Sequence, residues 1–156
     1  MRIRVIAVGS RMPGWVDATC DDYSKRLRAH LKLALIEIPA GTRGAQRGAE
    51  HALRIEGQRL LGALGPKEFA VALDERGKEF ATREFAAWLA TRLAAARDVA
   101  FLIGGADGLA REVLARCDFK LSLSRLTLPH ALARVVLFEQ LYRAQSLLAH
   151  HPYHRD

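Results

Sequence analysis

The sequence predicts an α/β fold, a mostly parallel sheet flanked by helices on both faces. Three observations point there. Short β-branched runs alternate with amphipathic segments from one end of the chain to the other. One run, Val99 to Ile103, is apolar throughout, as strands buried on both faces are, and it stops abruptly at Gly104-Gly105-Ala106-Asp107-Gly108. Another, Leu121 to Leu123, leads through Ser124-Arg125-Leu126-Thr127-Leu128 to Pro129, which opens a long helical pattern. Two strand ends so close in sequence make one crevice beyond the carboxyl edge of a sheet, where open α/β sheets bind ligands. That crevice is the expected active site.

Taken in order, Ile3 to Val8 reads as the first strand, ended by Gly9. Pro13 then starts a helix whose Trp15, Thr19, Tyr23 and Leu27 share one face, expected to lie against the sheet. Leu33 to Ile38 is a second strand, stopped by Pro39. The stretch 39–48 that follows is a glycine-containing basic loop, which serves either as a clamp on phosphates or as a solvated connector. Leu53, Gly57, Leu60, Leu61 and Leu64 mark the next helix, closed by Gly65-Pro66. Phe69 to Leu73 is a third strand, and Asp74-Glu75-Arg76-Gly77-Lys78 is read as a turn after it. Thr82 is placed to cap a helix bearing Phe85, Trp88, Leu89 and Leu93. After the strand at 99–103 come a short helix around 109–115, the strand at 121–123, and the last helix from Pro129 to about His150, which Pro152 cannot continue. No repeat, linker or low-complexity stretch divides the chain, so residues 1–156 read as a single domain.

Composition narrows the function. At 156 residues, half of them apolar, the chain can bury a core without staples. Its net charge of +7, carried by 19 Arg and 5 Lys, favours an anionic partner such as nucleic acid. Cys20 and Cys117 stand alone, which argues against a disulfide framework or a zinc site and fits a reducing cytoplasm. The apolar run near the N-terminus is too short for a signal peptide, and no run approaches the roughly 18 residues of a membrane span, so no membrane partner is expected.

The glycine loop is not a dinucleotide fingerprint, because its spacing differs and Asp118 precedes its strand instead of ending it. It lacks the Lys-Ser/Thr pair of a phosphate loop as well. His130, at a helix start, suits contact with a ligand, proton handling or capping. Glu139 and Arg143 lie one turn apart and can pair. In the tail, no cysteine and no cluster of carboxylates accompanies His150, His151 and His154, and Pro152 breaks the helix that would align them, so no metal is expected. Tyr153 and Arg155 beside imidazoles suit a nucleotide better, since bases stack on rings and Arg takes phosphate.

These residues together resemble a known family. Ile103-Gly104-Gly105 with Gly108, Leu121-Ser122-Leu123-Ser124, Leu126-Thr127-Leu128-Pro129-His130, Leu141-Tyr142-Arg143-Ala144 and His151-Pro152-Tyr153-His154-Arg155 look like the ribosomal RNA large subunit methyltransferase H family. Val8-Gly9 and Ile38-Pro39-Ala40-Gly41 match as well. Ala106, Asp107 and His150 depart from the family's usual Pro, Glu and Asn.

The resemblance implies the SPOUT class: an α/β-knot fold with a C-terminal trefoil knot, working as a homodimer. It implies S-adenosylmethionine as methyl donor and N3 of a pseudouridine in helix 69 of 23S ribosomal RNA, within the ribosome, as acceptor. Carried onto this chain, the cofactor positions are Leu73, Gly104, Leu123, Ser124, Arg125, Leu126, Thr127 and Leu128. His130, Arg143, Tyr153, His154 and Arg155 are then the expected RNA-facing, catalytic set. A SPOUT enzyme acting on another RNA and a non-catalytic ribosome-binding factor are the competing readings.

Overall fold

The structure, a computed structural model, describes residues 2–44, 46 and 48–155. Five strands and five helices alternate: β1 (Arg2–Val8), α1 (Gly14–Leu27), β2 (Lys32–Ile38), α2 (Gly48–Ala63), β3 (Phe69–Glu79), α3 (Thr82–Ala94), β4 (Val99–Ile103), α4 (Arg111–Arg116), β5 (Phe119–Ser122) and α5 (His130–Leu148). The strands form one sheet in the order β2-β1-β4-β3-β5, every pairing parallel.

Period-two alternation divides the core between the two faces. Ile3, Val5 and Ala7 of β1 and Val99, Phe101 and Ile103 of β4 point to one side, where α1, α3 and α5 cover them. Ile6 and Val8, with Ala100 and Leu102, point to the other, beneath α2 and α4. All five β4 residues are buried, as the unbroken apolar run requires.

Three expectations change in detail. The turn at 74–78 is an excursion within a strand. Arg76 N–H does donate to Asp74 Oδ1 (2.8 Å), but β3 then resumes, so that Leu121 of β5 is opposite both Leu73 and Lys78. Gly77 allows the return, because a Cβ there would stand 2.6 Å from the Leu121 backbone. On α1, Leu27 is buried and Tyr23 packs on the core as expected, but Val16 and Cys20 take the buried places of Trp15 and Thr19, and Trp15 is 53 % exposed. The N-cap of α3 is Ala81, whose N–H donates to Glu84 Oε2 (2.8 Å); Thr82 is already helical and its hydroxyl contacts Gln140 Oε1 across to α5 (3.1 Å). Within the basic loop 39–48, Ala45 and Arg47 lie outside the described residues.

Under the amino-terminal edge of the sheet, Glu68 is buried and accepts from Arg4 Nε (2.6 Å), Arg4 Nη2 and Gly65 N–H (2.6 Å). Burial alone would lift its carboxyl. The hydrogen bond from Arg4, the Gly65 amide and the Arg4 charge outweigh that and hold it below the ordinary value. A depressed folded-state value stabilises the fold above the unfolded value, about pH 4, and that gain is lost as pH falls through the folded value. Arg4→Met should therefore cost about 3 kcal/mol at neutral pH by stranding a buried carboxylate. The gap should shrink below about pH 4, where Glu68 is protonated in the variant. Urea melts at the two pH values check this, and a pH-independent gap would mean that Arg4 acts by packing alone.

Candidate active site

The carboxyl ends of β3, β4 and β5 open into a crevice of about 560 Å³. Its walls are the excursion from β3, the glycine loop after β4, the segment between β5 and α5, and the first turn of α5. Leu73, Ile103, Leu126 and Leu128 make it partly apolar, and Leu126 is 76 % exposed, a large side chain with nothing of this chain over it.

Glycine brings the β4 loop close upon itself. A Cβ on Gly104 would collide with the Gly108 carbonyl and lie 3.0 Å from its Cα, while Gly105 and Gly108 form an isolated bridge and Gly108 N–H donates to Gly105 O (3.1 Å). Behind Gly105 lies Glu56 of α2, 2 % exposed. Its Oε1 accepts from Gly41 N–H (2.9 Å), while its buried Oε2 would be 3.1 Å from a Cβ on Gly105. Arg43 pairs with Asp107 across the rim. That ion pair ties the basic loop to the glycine loop.

Across the crevice, Ser122 Oγ donates to Ser124 O (3.0 Å) and Leu126 N–H donates to Ser124 Oγ (2.9 Å), which shapes the segment after β5. Asp74 and Glu75 stand beside one arginine, Arg76, and Asp107 is paired with Arg43, so one carboxylate remains in surplus at the lining. The residues at 74–76 signal only a turn; nothing local signals that β3 resumes and leaves them on the crevice wall.

Of the expected cofactor positions, Leu73, Gly104, Leu123, Ser124, Leu126, Thr127 and Leu128 all line the crevice. The Arg125 side chain does not; it is 88 % exposed and pairs with Glu79 Oε2 (3.1 Å). His130 lines the crevice from the start of α5. One turn on, Arg134 is completely buried, donating to Glu37 Oε2 (2.8 Å) and to Gly9 O (3.0 Å). It fastens the head of α5 to the ends of β1 and β2, a role that neither charge nor spacing in the sequence announces.

The remaining expected residues gather elsewhere. Arg143 stands 13 positions after His130, about 20 Å along the helix. There it bonds Glu139 Oε1 through Nε (2.8 Å) and Nη2 (2.5 Å), approaches His154 Nδ1 (3.3 Å), and lies 4.8 Å over the Tyr153 ring. Tyr153 packs edge-on to Tyr142 (4.5 Å) and faces the Tyr23 hydroxyl (3.4 Å). Burial and the Tyr23 hydrogen bond push the Tyr153 phenol above its ordinary value, so it is neutral at physiological pH. Arg155 is exposed beside this cluster. The expected catalytic residues therefore fall into two separate groups on one chain, His130 in the crevice and the tail cluster. Cys20 and Cys117 belong to neither, and burial pushes both thiols up to about 11.

Among the described residues no three His, Cys, Asp or Glu side chains gather as metal ligands, and no helix is long and apolar enough to cross a membrane.

The fold matches the crystal structure of a probable methyltransferase from Bordetella pertussis Tohama I with a TM-score of 0.59 at 21 % identity, over 92 % of this chain and 93 % of that one. A probable methylase family protein from Haemophilus influenzae matches with a TM-score of 0.56. Residues 1–154 match the family described as "Predicted SPOUT methyltransferase", and the chain is a member of that methyltransferase class. Within the class it belongs to the ribosomal RNA large subunit methyltransferase H family. Proteins of that name from Thiobacillus denitrificans and Alkalilimnicola ehrlichii are 49 % and 52 % identical to it, the first over the whole of both chains and the second over 99 % of each.

Proposed function

We propose that this methyltransferase acts on 23S ribosomal RNA of the assembled ribosome, transferring a methyl group from S-adenosylmethionine to N3 of a pseudouridine in helix 69. The reading includes a single domain over residues 1–156, a C-terminal trefoil knot, a homodimer and a cytoplasmic location. The observation that carries it is the crevice, where apolar walls, close-packed glycines and surplus carboxylate suit a flat adenine attached to a cationic sulfonium.

Leu73, Leu126 and Leu128 would hold the adenine. Gly104, Leu123, Ser124 and Thr127 would offer backbone where a side chain at Gly104 leaves no space, and Arg125 would contribute through its main chain. The cofactor supplies an electrophilic methyl carbon. The protein's task is to hold acceptor nitrogen, methyl carbon and sulfur in line, and to take the N3 proton onto an imidazole, His130 or His154, as the new N–C bond forms. Arg143 and Arg155 would stabilise the anionic base or position its phosphate. Neutral Tyr153 would stack. With about 20 Å of α5 between His130 and Arg143, the tail of one subunit would complete the crevice of the other.

Labelled S-adenosylmethionine, incubated with the protein and with ribosomes carrying either pseudouridine or uridine at the target, tests the reading. Label confined to the pseudouridine is the expected result. Label elsewhere would indicate another RNA, and ribosome binding without label would indicate a binding factor.

A further inference from the structure

The chain's positive charge does not surround its crevice. At the opposite, amino-terminal edge of the sheet, two open grooves of about 550 and 940 Å³ flank the Arg2–Asp98 pair. Six cations line them, Arg2, Arg4, Arg28, Lys32, Lys67 and Arg97, against two carboxylates, Glu68 and Asp98. That surplus of four is more than half of the chain's net +7. Both carboxylates are engaged, Glu68 by Arg4 and Asp98 by Arg2, and Arg97 is tied to the Lys67 and Glu68 carbonyls and to Asp118.

Arg28, Lys32 and Lys67 are exposed and pair with no carboxylate among the described residues. Compensation of a helix terminus accounts for Arg28, one residue past α1. It does not account for Lys32, which begins β2, or Lys67, four residues beyond α2.

The tail cluster lies toward this same edge. Helix α5 starts with Arg134 on Gly9 and runs alongside α1, so that Tyr142 packs on Tyr23 in the second half of α1 (5.8 Å). Arg26 lies 5.9 Å from the centres of both rings, two residues before Arg28. Aromatic rings interleaved with arginine therefore lead from Tyr153 to the groove.

We propose that the amino-terminal edge of the sheet is a docking surface for RNA backbone phosphates, with Arg28, Lys32 and Lys67 as its contacts. This rests on the ribosomal-RNA reading and extends it. The five-residue β4, which runs from this edge to the crevice, puts the two about 17 Å apart in the same chain. The surface thus engages RNA remote from the reacting nucleotide, which a large folded RNA supplies and an isolated nucleotide does not.

The test compares Arg28→Glu/Lys67→Glu with Arg54→Glu/Arg111→Glu, an equal change of net charge at exposed positions outside the grooves. Ribosome affinity is measured with the full-length protein over a range of salt, and S-adenosylmethionine binding is measured alongside as a check on folding. The groove variant should bind ribosomes at least about tenfold more weakly, with a salt slope flatter by about 1.5, the loss of two phosphate contacts. The control should change by less than about threefold. Cofactor affinity should be unchanged in both. Equal weakening of the two variants, or none in the groove variant, would overturn the docking surface while leaving the methyl transfer of the unaltered protein intact. Failure of the unaltered protein to bind or methylate ribosomes would overturn the ribosomal-RNA reading and this surface with it.

Discussion

Gly104→Ala should lose at least about 100-fold in affinity for S-adenosylmethionine, because in the proposed site the cofactor would lie on backbone that the new methyl displaces. The added Cβ meets the Gly108 carbonyl and stands 3.0 Å from the Gly108 Cα. Neither is the tip of a flexible side chain, so relief requires the loop from Gly105 to Gly108 to open. Opening breaks the Gly105–Gly108 bridge and moves Gly105 off Glu56. The cost to the fold should be modest, about 1–3 kcal/mol, since the strain is local to a rim. Calorimetric titration with the cofactor, beside a thermal melt, separates the two effects. A variant that melts cooperatively and still binds the cofactor normally would remove the glycine loop from the site.

The second large effect is expected at the tail. Arg155→Ala should lower turnover on ribosomes by about 10²–10³ while leaving cofactor affinity unchanged, because a cation that meets only the developing anion acts in the transition state. Equal losses in turnover and cofactor binding would sink this division of labour.

Mixing then asks whose crevice the tail serves. Combine Gly104→Ala with Arg155→Ala, each inactive alone. If the tail acts across a two-fold dimer, half of the random dimers are mixed, and each holds one crevice able to bind cofactor and facing an intact tail. Activity should then recover to about one quarter of the unaltered level. If the tail acts on its own crevice, no recovery follows. The roughly 20 Å between His130 and Arg143 along α5 favours recovery.

Sequence by itself determined the layered architecture. The β-branched run of β1, the unbroken apolar run of β4 and the apolar stripes of α2 and α3 are local properties, and they survive folding because these elements bury residues that their own patterns offer, whereas α5 buries Arg134, Leu137, Phe138, Leu141 and Ala144. The sequence pointed to the crevice as well: strand ends and glycines mark where a parallel sheet exposes backbone, and seven of the eight positions carried over from the family resemblance line that cavity.

Tertiary structure alone decided the rest. The chemistry of Asp74–Gly77 signals a turn, and the turn forms, but pairing with β5, more than 40 residues later, continues the strand and hangs Asp74, Glu75 and Arg76 over the crevice. Trp15 looks like a core residue by spacing and is half exposed, because Val16 and Cys20 hold the buried face of α1 above Tyr23 and Leu27. Arg134 looks like surface charge and is the largest fully buried side chain, its charge met by Glu37 and two main-chain carbonyls from strands far away in sequence. The separation of His130 from the tail, and the gathering of cations at the far edge of the sheet, likewise depend on where α1 and α5 end in space. Periodicity reports which face of an element is apolar; only long-range pairing sets what that face, and each charge beside it, will meet.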